Sequence, residues 1–591
     1  MSGIGLVLST AKDALLTQQY AMDVTGHNIA NVNTESYSRQ SPVIEAKTPA
    51  PYGGLIFGRG VELQQIMRQG DTFVETRLRE RQSDLSAMTE KETYMSVLEG
   101  VFNESSGRGL SSHFEEFWTS WHDLANDPSG SAERTIVYET GSSFARSLQE
   151  LRHDVQQFEE ELNLSIDAGV EKVNRLTAQV AKLNEQISNM EVTADANDLR
   201  DRRDEVIREL SEYMDIKVFQ DAEGHMTLIA NTGHTLVSKT ESYNLGMDDD
   251  EIVWEGSGGN EVPVTDGIQG GKLGGWLEVR DEILPKYTAE LDELASALIW
   301  EVNSIHTQGV GLKAMEEVSS TYAASDPEEP LASEDSGLAF YNRIRSGEFT
   351  ITVYDQDGEP VGTSSISVDK DATKLKDDDD QEDSLVHIIN DDENEISEYL
   401  EASVGSDGRL TLAAESGYSF SFSEDTSGVL AALGINTFFD GEDAADISVN
   451  QVLENDKELI AAGRVDDEGA FAPGDNTNAL EMTELRERKV DLNRWRYERG
   501  QEPSATEVSD SLEGFYQYIV GDVGIKSQGI RREKEYNDVL VSQLNEQRDA
   551  LSSVNLDEEM TNLIKFQHAY SAAAKLVSTA DEMFETLLQM R

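Results

Sequence analysis

Ile4, Leu8, Ala11, Leu15, Gln18, Met22, Thr25 and Ile29 follow one another at alternating steps of four and three. Leu563, Phe566, Tyr570, Ala573, Val577, Ala580, Phe584 and Leu587 repeat the pattern at the other end of the chain. This period puts one narrow stripe along one side of a helix and is the seam of a coiled coil. Little else on either helix can bury such a stripe. Each terminus therefore needs a partner, and the other terminus is the nearest candidate. Two unsatisfied helical ends on a large chain are the mark expected of an assembly subunit.

Bulk properties agree. The chain has 591 residues, enough for several domains with their own cores. It contains no cysteine, which rules out disulfides, thiolate zinc sites and thiol nucleophiles. Its 114 acidic and 48 basic residues give a net charge of -66. Such a field repels nucleic acid and anionic lipid, and suits a surface that stays soluble. No apolar run approaches the ~20 residues that span a bilayer. The opening Met1-Ser2-Gly3 has no basic region, and Lys12 and Asp13 interrupt the apolar residues, so no cleaved signal peptide is expected.

The first helix is expected from about Ser2 to Ala30, ending in the polar stretch Asn31 to Gln40. Ser41 to Gly60, with Pro42, Pro49 and Pro51, reads as extended or irregular, and Val61, Leu63 and Gln65 alternate like a strand. Helix resumes near Asp71. The longest regular stretch spans about Leu151–Met190, with Val155, Phe158, Leu162, Ile166, Val170, Val173, Leu176, Val180, Leu183, Ile187 and Met190 in its seam. A helix over Asp198–Tyr213 precedes strands at Ile216–Phe219, Met226–Ala230 and Ile252–Trp254, and helix returns over Tyr287–Ile305 with Pro285 at its start. Gly, Ser, Asp and Thr then dominate to about Gly474. Strand alternation appears there at Phe349, Ile351 and Val353, at Leu410 and Leu412, and at Tyr418, Phe420 and Phe422. Asp369 to Glu401 carries 14 acids against 3 lysines. After Asn478 helix returns, and the last helix starts at Asn555, an N-cap with Glu558 three residues on. The whole reads as a multidomain, mainly α chain with a β-rich insert. Paired terminal coiled-coil helices (1–70 with 551–591) come first. A long helical-bundle domain (71–309 with 475–550, including a small β section at about 216–275) follows, and 310–474 form the outer β insert.

Several motifs are familiar. Gly26-His27-Asn28-Ile29-Ala30-Asn31-Val32-Asn33-Thr34 resembles the asparagine-rich signature of bacterial flagellar axial proteins. Tyr37-Ser38-Arg39-Gln40 narrows this to the hook-associated protein 1 family of the hook–filament junction. Ala125–Pro128, Asn197–Asp204, Gly271–Gly275, Asn555–Glu559 and Phe566–Tyr570 resemble the same family, in the same order. The likeness covers about 1–310 and 475–591; in the insert, Val386–Asn390 and Gly408–Leu412 only loosely resemble a repeat of hook and flagellin-like outer domains. The resemblance implies a structural adaptor, not an enzyme, without cofactor or metal. It implies self-association in a short helical layer, with hook protein on one side and a second hook-associated protein on the other. It further implies an export chaperone on the C-terminal helix, flagellar type III export, and an extracellular place in the flagellum. Asn28, Asn31, Asn33, Tyr37 and Arg39 would be the axial-family motif. The N-terminal assembly seam would be Ile4, Leu8, Leu15, Met22 and Ile29. The C-terminal seam would be Leu563, Phe566, Tyr570, Val577, Phe584 and Leu587. The alternatives are another axial protein (hook, distal rod or flagellin-like) and a secreted adhesin or surface enzyme.

Catalytic and metal patterns fail on inspection. Asp557, Glu558 and Glu559 read as helix-start acids rather than a catalytic pair. Asp355-Gln356-Asp357-Gly358 opens like a calcium loop, but the sixth position is Pro360 and the twelfth Ile366. Gly271-Lys272 lacks the Ser or Thr and the upstream glycine of a phosphate loop. The nine histidines show no ligand spacing, and no Gly-x-Ser-x-Gly elbow occurs.

Overall fold

A computed structural model of the chain describes residues 2–34, 36–52, 55–103, 109–192, 195–221, 224–256, 258–376 and 383–590. The acidic run Asp377–Asp380 lies outside the described residues. About 53% of the chain is helical, with small sheets between, so the molecule is mainly α. It divides into two compact units: Met1–Tyr94, Leu162–Val279 and Gln528–Arg591 form one, and Met95–Glu161 and Arg280–Ser527 the other.

The first unit contains both ends of the chain. The N-terminal helix is Ser2–Ala30 and the C-terminal helix Leu556–Gln589, and the two pack against each other. An antiparallel ribbon of Gln40–Ala46 with Val61–Arg68 follows the first helix, in a register from Gln40 opposite Arg68 to Ala46 opposite Val61. Ala50–Tyr52 pairs with Leu55–Phe57 at its far end. The stretch expected to be extended or irregular is therefore largely extended, as a two-stranded ribbon whose strands are all edge strands and so tolerate proline. Helix Asn197–Tyr213 leads into a four-stranded antiparallel sheet made of Ile216–Gln220, Met226–Ala230, Thr235–Ser238 and Glu241–Ser242 in sequence order. A three-stranded sheet over 245–263 and helix Gly271–Glu278 complete the section. Gly271 has φ +70°, and a side chain there would meet the carbonyl carbon of Tyr213 at 2.3 Å. That close approach, not a phosphate, is what the Gly-Lys pair serves; Lys272 lies over the Tyr213 ring.

The second unit holds the β-rich insert. Gly347–Tyr354 is the middle strand between Pro360–Val368 and Ser419–Ser423, and Leu410–Ala414 the middle strand between Glu317–Ser319 and Leu400–Val404. Phe349, Ile351, Val353, Leu410 and Leu412 are all buried at a period of two, as expected, and the middle strand Gly347–Tyr354 also buries Thr352 and Tyr354 on its other face. Helix Leu284–His306 starts with Pro285 in its first turn and buries Leu291, Leu294, Leu298 and Val302 completely. Phe117, Trp121 and Phe438 form an aromatic core beside it, the rings of Trp121 and Phe438 lying 5.5 Å apart. Asp355 turns its carboxylate onto the backbone N–H groups of Asp357 and Glu359, at 2.9 and 3.0 Å, inside a hairpin turn.

Two readings change. The long helix begins at Ser131, not near Leu151, and runs 61 residues to Glu191. Gly141, inside this helix, is buried, and a side chain on it would strike the Phe438 ring at 2.8 Å. The return to helix after Asn478 is interrupted: Thr477–Glu484 is helical, and Val490–Arg496 then pairs with Ser504–Asp510 in a hairpin. Val490 and Leu492 are buried with Asp491 exposed between them, an alternation the charged residues around it obscure.

Candidate functional site at the meeting of the chain ends

The asparagine-rich motif ends the first helix and turns the chain into the ribbon. Asn28 is 1% exposed and uses its whole hydrogen-bonding capacity. Its amide donates to the Gln40 carbonyl at 2.9 Å and to Glu559 Oε2 at 3.0 Å. Its side-chain oxygen accepts from the Tyr37 hydroxyl at 2.6 Å and from the Gln40 N–H at 3.0 Å. One side chain thus joins the end of the first helix, the start of the ribbon and the first turn of the last helix.

Arg39 makes the second link. Its Nε donates to Glu559 Oε1 at 2.9 Å, and Nη1 to Glu558 Oε2 at 2.8 Å. Its backbone N–H donates to the Ser552 carbonyl at 2.8 Å. The Glu559 side chain is 3% exposed, so this carboxylate is buried with its guanidinium and an amide as partners. A buried ion pair of this kind contributes little over an apolar pair, but losing one partner is costly. Asn555 caps the last helix, accepting from the N–H groups of Asp557 and Glu558. The helix-start reading of these acids holds, and Glu559 has in addition an internal partner that its neighbours in sequence give no sign of.

The Asn197–Asp204 stretch closes the network from a third side. Gln40 Nε2 donates to Asp198 at 3.0 Å, the Ser38 N–H to Asp201 at 3.2 Å, and Asn197 Nδ2 to the Ile66 carbonyl at 2.9 Å. Arg68 bridges Asp201 and Asp204 at 2.8 and 2.7 Å. Arg203 turns the other way, is 1% exposed, and donates to Asn184 at 2.9 Å and to the Gly224 carbonyl at 3.0 Å. Burial lowers its pKa to about 10. Burial, with Asp198, Asp201 and Glu559 nearby, pushes the Tyr37 phenol well above its ordinary value, so it stays a neutral donor to Asn28. Burial also raises the Asp201 carboxyl, against the pull of Arg68.

The remaining motif residues lie outside this network. Asn31 bonds back to the His27 carbonyl at 3.0 Å, and Asn33 is exposed. Of the N-terminal seam, Ile4, Leu15, Met22 and Ile29 are half-buried and Leu8 is exposed. The positions this helix buries are Ala11, Thr17, Ala21, Val24, Thr25 and Asn28, a smaller and more polar face. Of the C-terminal seam, Leu563, Phe566 and Val577 are half-buried, and Tyr570 and Phe584 exposed; the Leu587 side chain lies outside the described residues. Ala573 and Ala580 are buried. The Asn28 and Arg39 positions were legible as a motif, and Gln40, Asp201 and Glu559 stood within quoted motifs, but Arg68 was not singled out and none of these pairings was foreseen, since they join distant parts of the chain. Among the described residues no group of three or more His, Asp or Glu side chains is placed to hold a metal ion. No helix among them is long and apolar enough to cross a membrane.

Comparison with known proteins gives the same picture along the chain. Residues 95–317 match the family model for the flagellar hook-associated protein FlgK helical domain. Residues 8–37 match that for flagella basal body rod proteins, and 548–590 that for the C-terminal part of the flagellar basal body rod FlgEFG proteins. The flagellar hook-associated protein 1 of Bacillus subtilis is 26% identical over 610 aligned positions, covering 100% of this chain and 98% of the relative. That of Escherichia coli is 24% identical, covering 99% and 100%. The flagellar hook junction protein FlgK of Burkholderia pseudomallei superposes with a TM-score of 0.49 at 16% identity, covering 81% of this chain and 100% of that one. The chain thus carries the FlgK helical domain and aligns end to end with curated flagellar hook-associated proteins 1, structural proteins of the bacterial flagellum.

Proposed function

We propose that the chain is a non-catalytic adaptor subunit that joins the flagellar hook to the filament. Its terminal helices (1–70 with 551–591) form the inner tube as a coiled-coil pair, 71–309 with 475–550 a rigid helical layer, and 310–474 the outer insert. The subunits associate in a short helical layer, contact hook protein on one side and a second hook-associated protein on the other, and take no cofactor. They leave the cell by flagellar type III export, with a chaperone holding the C-terminal helix beforehand. The observation that carries this reading is the apolar surface left on the terminal helices. Val7, Leu8, Leu16 and Tyr20 on the first, and Met560, Ile564, Leu576 and Phe584 on the last, are all at least 41% exposed. A single subunit does not bury them, and copies stacked around an axis would.

Immunogold electron microscopy with antibody to residues 310–474 tests the reading. A single label at the hook–filament boundary is expected. Label along the whole filament would make the chain a filament subunit, and label over the cell body would make it an adhesin.

A further inference from the structure

The N-terminal ribbon leaves apolar surface in two separate places. At its far end Leu55 is 65% exposed and Ile56 79%. Arg59 beside them is exposed as well. Nearer its base the ribbon forms one wall of a groove of about 720 Å³. Tyr20 and Val24 of the first helix, Leu63 and Ile66 of the ribbon, and Met190 and Leu199 line it. Asp23 and Asp198 line it as well.

The tip cannot reach the groove of its own chain. Leu63 is held opposite Ile44 and Val61 opposite Ala46, so the ribbon runs on in register toward the tip. Phe57 and Leu63 are six residue steps apart, about 20 Å at ~3.3 Å per step. A two-stranded ribbon ending in bare leucine and isoleucine is also marginal without a cover. The charges complement each other: an arginine stands at the tip, in a chain short of basic residues, and carboxylates at the groove.

We propose that the Leu55–Ile56 tip of one copy seats in this groove on the next copy, with Arg59 facing Asp23. Knob and groove are different surfaces of one chain, so the contact is head-to-tail and repeats into a ring or helix rather than closing as a dimer. The proposal rests on the reading of the chain as an assembly subunit and names one contact of that assembly.

The chain has no cysteine of its own, so pairs can be introduced cleanly. Flagella isolated from the bacterium making the full chain with Ile56→Cys and Leu199→Cys are oxidised mildly and run without reductant. A ladder of cross-linked multimers is expected, absent from either single variant and from Ile56→Cys combined with Leu164→Cys, a position 70% exposed but outside the groove. Dimers without higher multimers, or no cross-link in flagella that an immunoblot shows to contain the variant, would overturn the contact. Should the double variant fail to incorporate, Ile56→Asp decides. At least a tenfold drop in its content per flagellum, with an unchanged circular dichroism spectrum for the free chain, is expected, and wild-type content overturns the proposal. Absence of the unsubstituted chain from flagella would overturn the assembly reading itself, and the contact with it.

Discussion

Helix Leu284–His306 and helix Leu556–Gln589 are both rich in leucine and other apolar residues, yet folding treats them oppositely. In the first, Leu291, Leu294, Leu298, Ile299 and Val302 are all 0% exposed. In the second, Leu556, Met560, Ile564, Leu576, Met583, Phe584 and Leu588 are between 44% and 59% exposed, and what is buried is Glu559, Ala573 and Ala580. One helix finishes its packing within the chain. The other packs through small residues and one carboxylate, and leaves its large side chains outside. Apolar content alone does not tell them apart; the difference lies in which residues the chain itself can cover.

The largest expected effects follow from that contrast. Leu298→Ala should cost about 3–4 kcal/mol in urea unfolding, since it empties a closed core. Phe584→Asp should cost the free chain under about 0.5 kcal/mol, because an exposed position has little packing to lose. The same Phe584→Asp chain should be missing from isolated flagella, as scored by immunoblot. Normal incorporation would mean that the exposed face of the last helix is not an assembly surface.

The closed helix also carries two buried titratable groups of opposite sign. His306 is 0% exposed; its Nδ1 donates to the Asn436 carbonyl at 2.7 Å, and its Nε2 accepts from the Ala461 N–H at 3.0 Å. A second proton would have to displace that N–H, and burial lowers the pKa to about 4. The unfolded chain therefore binds this proton first, and stability falls as pH drops from about 6.5 toward 4. Glu290 is also 0% exposed, its Oε2 has no hydrogen-bond partner, and burial, reinforced by Asp522 and opposed by Lys286 and Arg494, raises its pKa to about 7. Here the native state binds the proton first, so stability falls as pH rises from about 4.5 to 7. The two slopes oppose each other between about pH 4.5 and 6.5. Glu290→Gln should unmask the histidine, making the loss of stability on acidification steeper than in the unsubstituted chain by on the order of 3 kcal/mol, read by urea unfolding at stepped pH. Parallel profiles for the two chains would show that Glu290 keeps an ordinary carboxyl pKa in the folded chain and is ionised near neutrality.

How much of this the sequence discloses depends on the range of the interaction. The 155–187 seam was legible because each buried residue lies three or four from the next, and Val155, Leu162, Ile166, Val173 and Ile187 are all at most 1% exposed. The insert's strands were legible from their period of two, and Asn555 from its place one residue before the last helix. The buried face of the first helix was legible only in part, through Ala11 and Thr25, which stand in its seam and are 1% and 2% exposed. Ala21, Val24 and Asn28 lie inside because they are small or polar-matched, while the larger Leu8 and Tyr20 on the same helix stay exposed. Hydrophobicity ranks those residues the wrong way round, since close packing here is set by side-chain size and by a carboxylate 531 positions away from Asn28. No local pattern encodes a pairing of that separation. The Asn28 motif itself was legible only as a resemblance, and its saturated hydrogen bonding explains why an asparagine is needed there.

A smaller effect sharpens the same point. Asn28→Asp keeps the size but removes both donors and sets a carboxylate against Glu559 and the Gln40 carbonyl. About 2 kcal/mol should be lost locally, read as faster hydrogen exchange at the end of the first helix and the start of the last. Adding Glu559→Gln returns an amide to the pair and should recover part of that protection. Additive losses in the double variant would show that the two side chains do not act on each other.

The smallest expected effect concerns charge. At -66 the chain repels itself, and its 14 acids against 3 lysines over Asp369–Glu401 concentrate that repulsion in the insert. Salt shortens the screening length from about 10 Å at 0.1 M to about 3 Å at 1 M. It weakens repulsion, and it also weakens exposed ion pairs such as Arg39 with Glu558, whose side chain is 59% exposed. Pairs of that kind contribute at most about 1 kcal/mol each. The buried Arg39–Glu559 contact is screened far less. With more than two acids for every base, relief of repulsion should win, and the urea midpoint should rise with sodium chloride by an amount worth about 1 kcal/mol. Hydrogen exchange can locate the gain: protection should grow most in residues 310–474 and least around Asn28 and Glu559. A midpoint that falls with salt would instead make the ion pairs, rather than the net charge, the dominant electrostatic term in this fold.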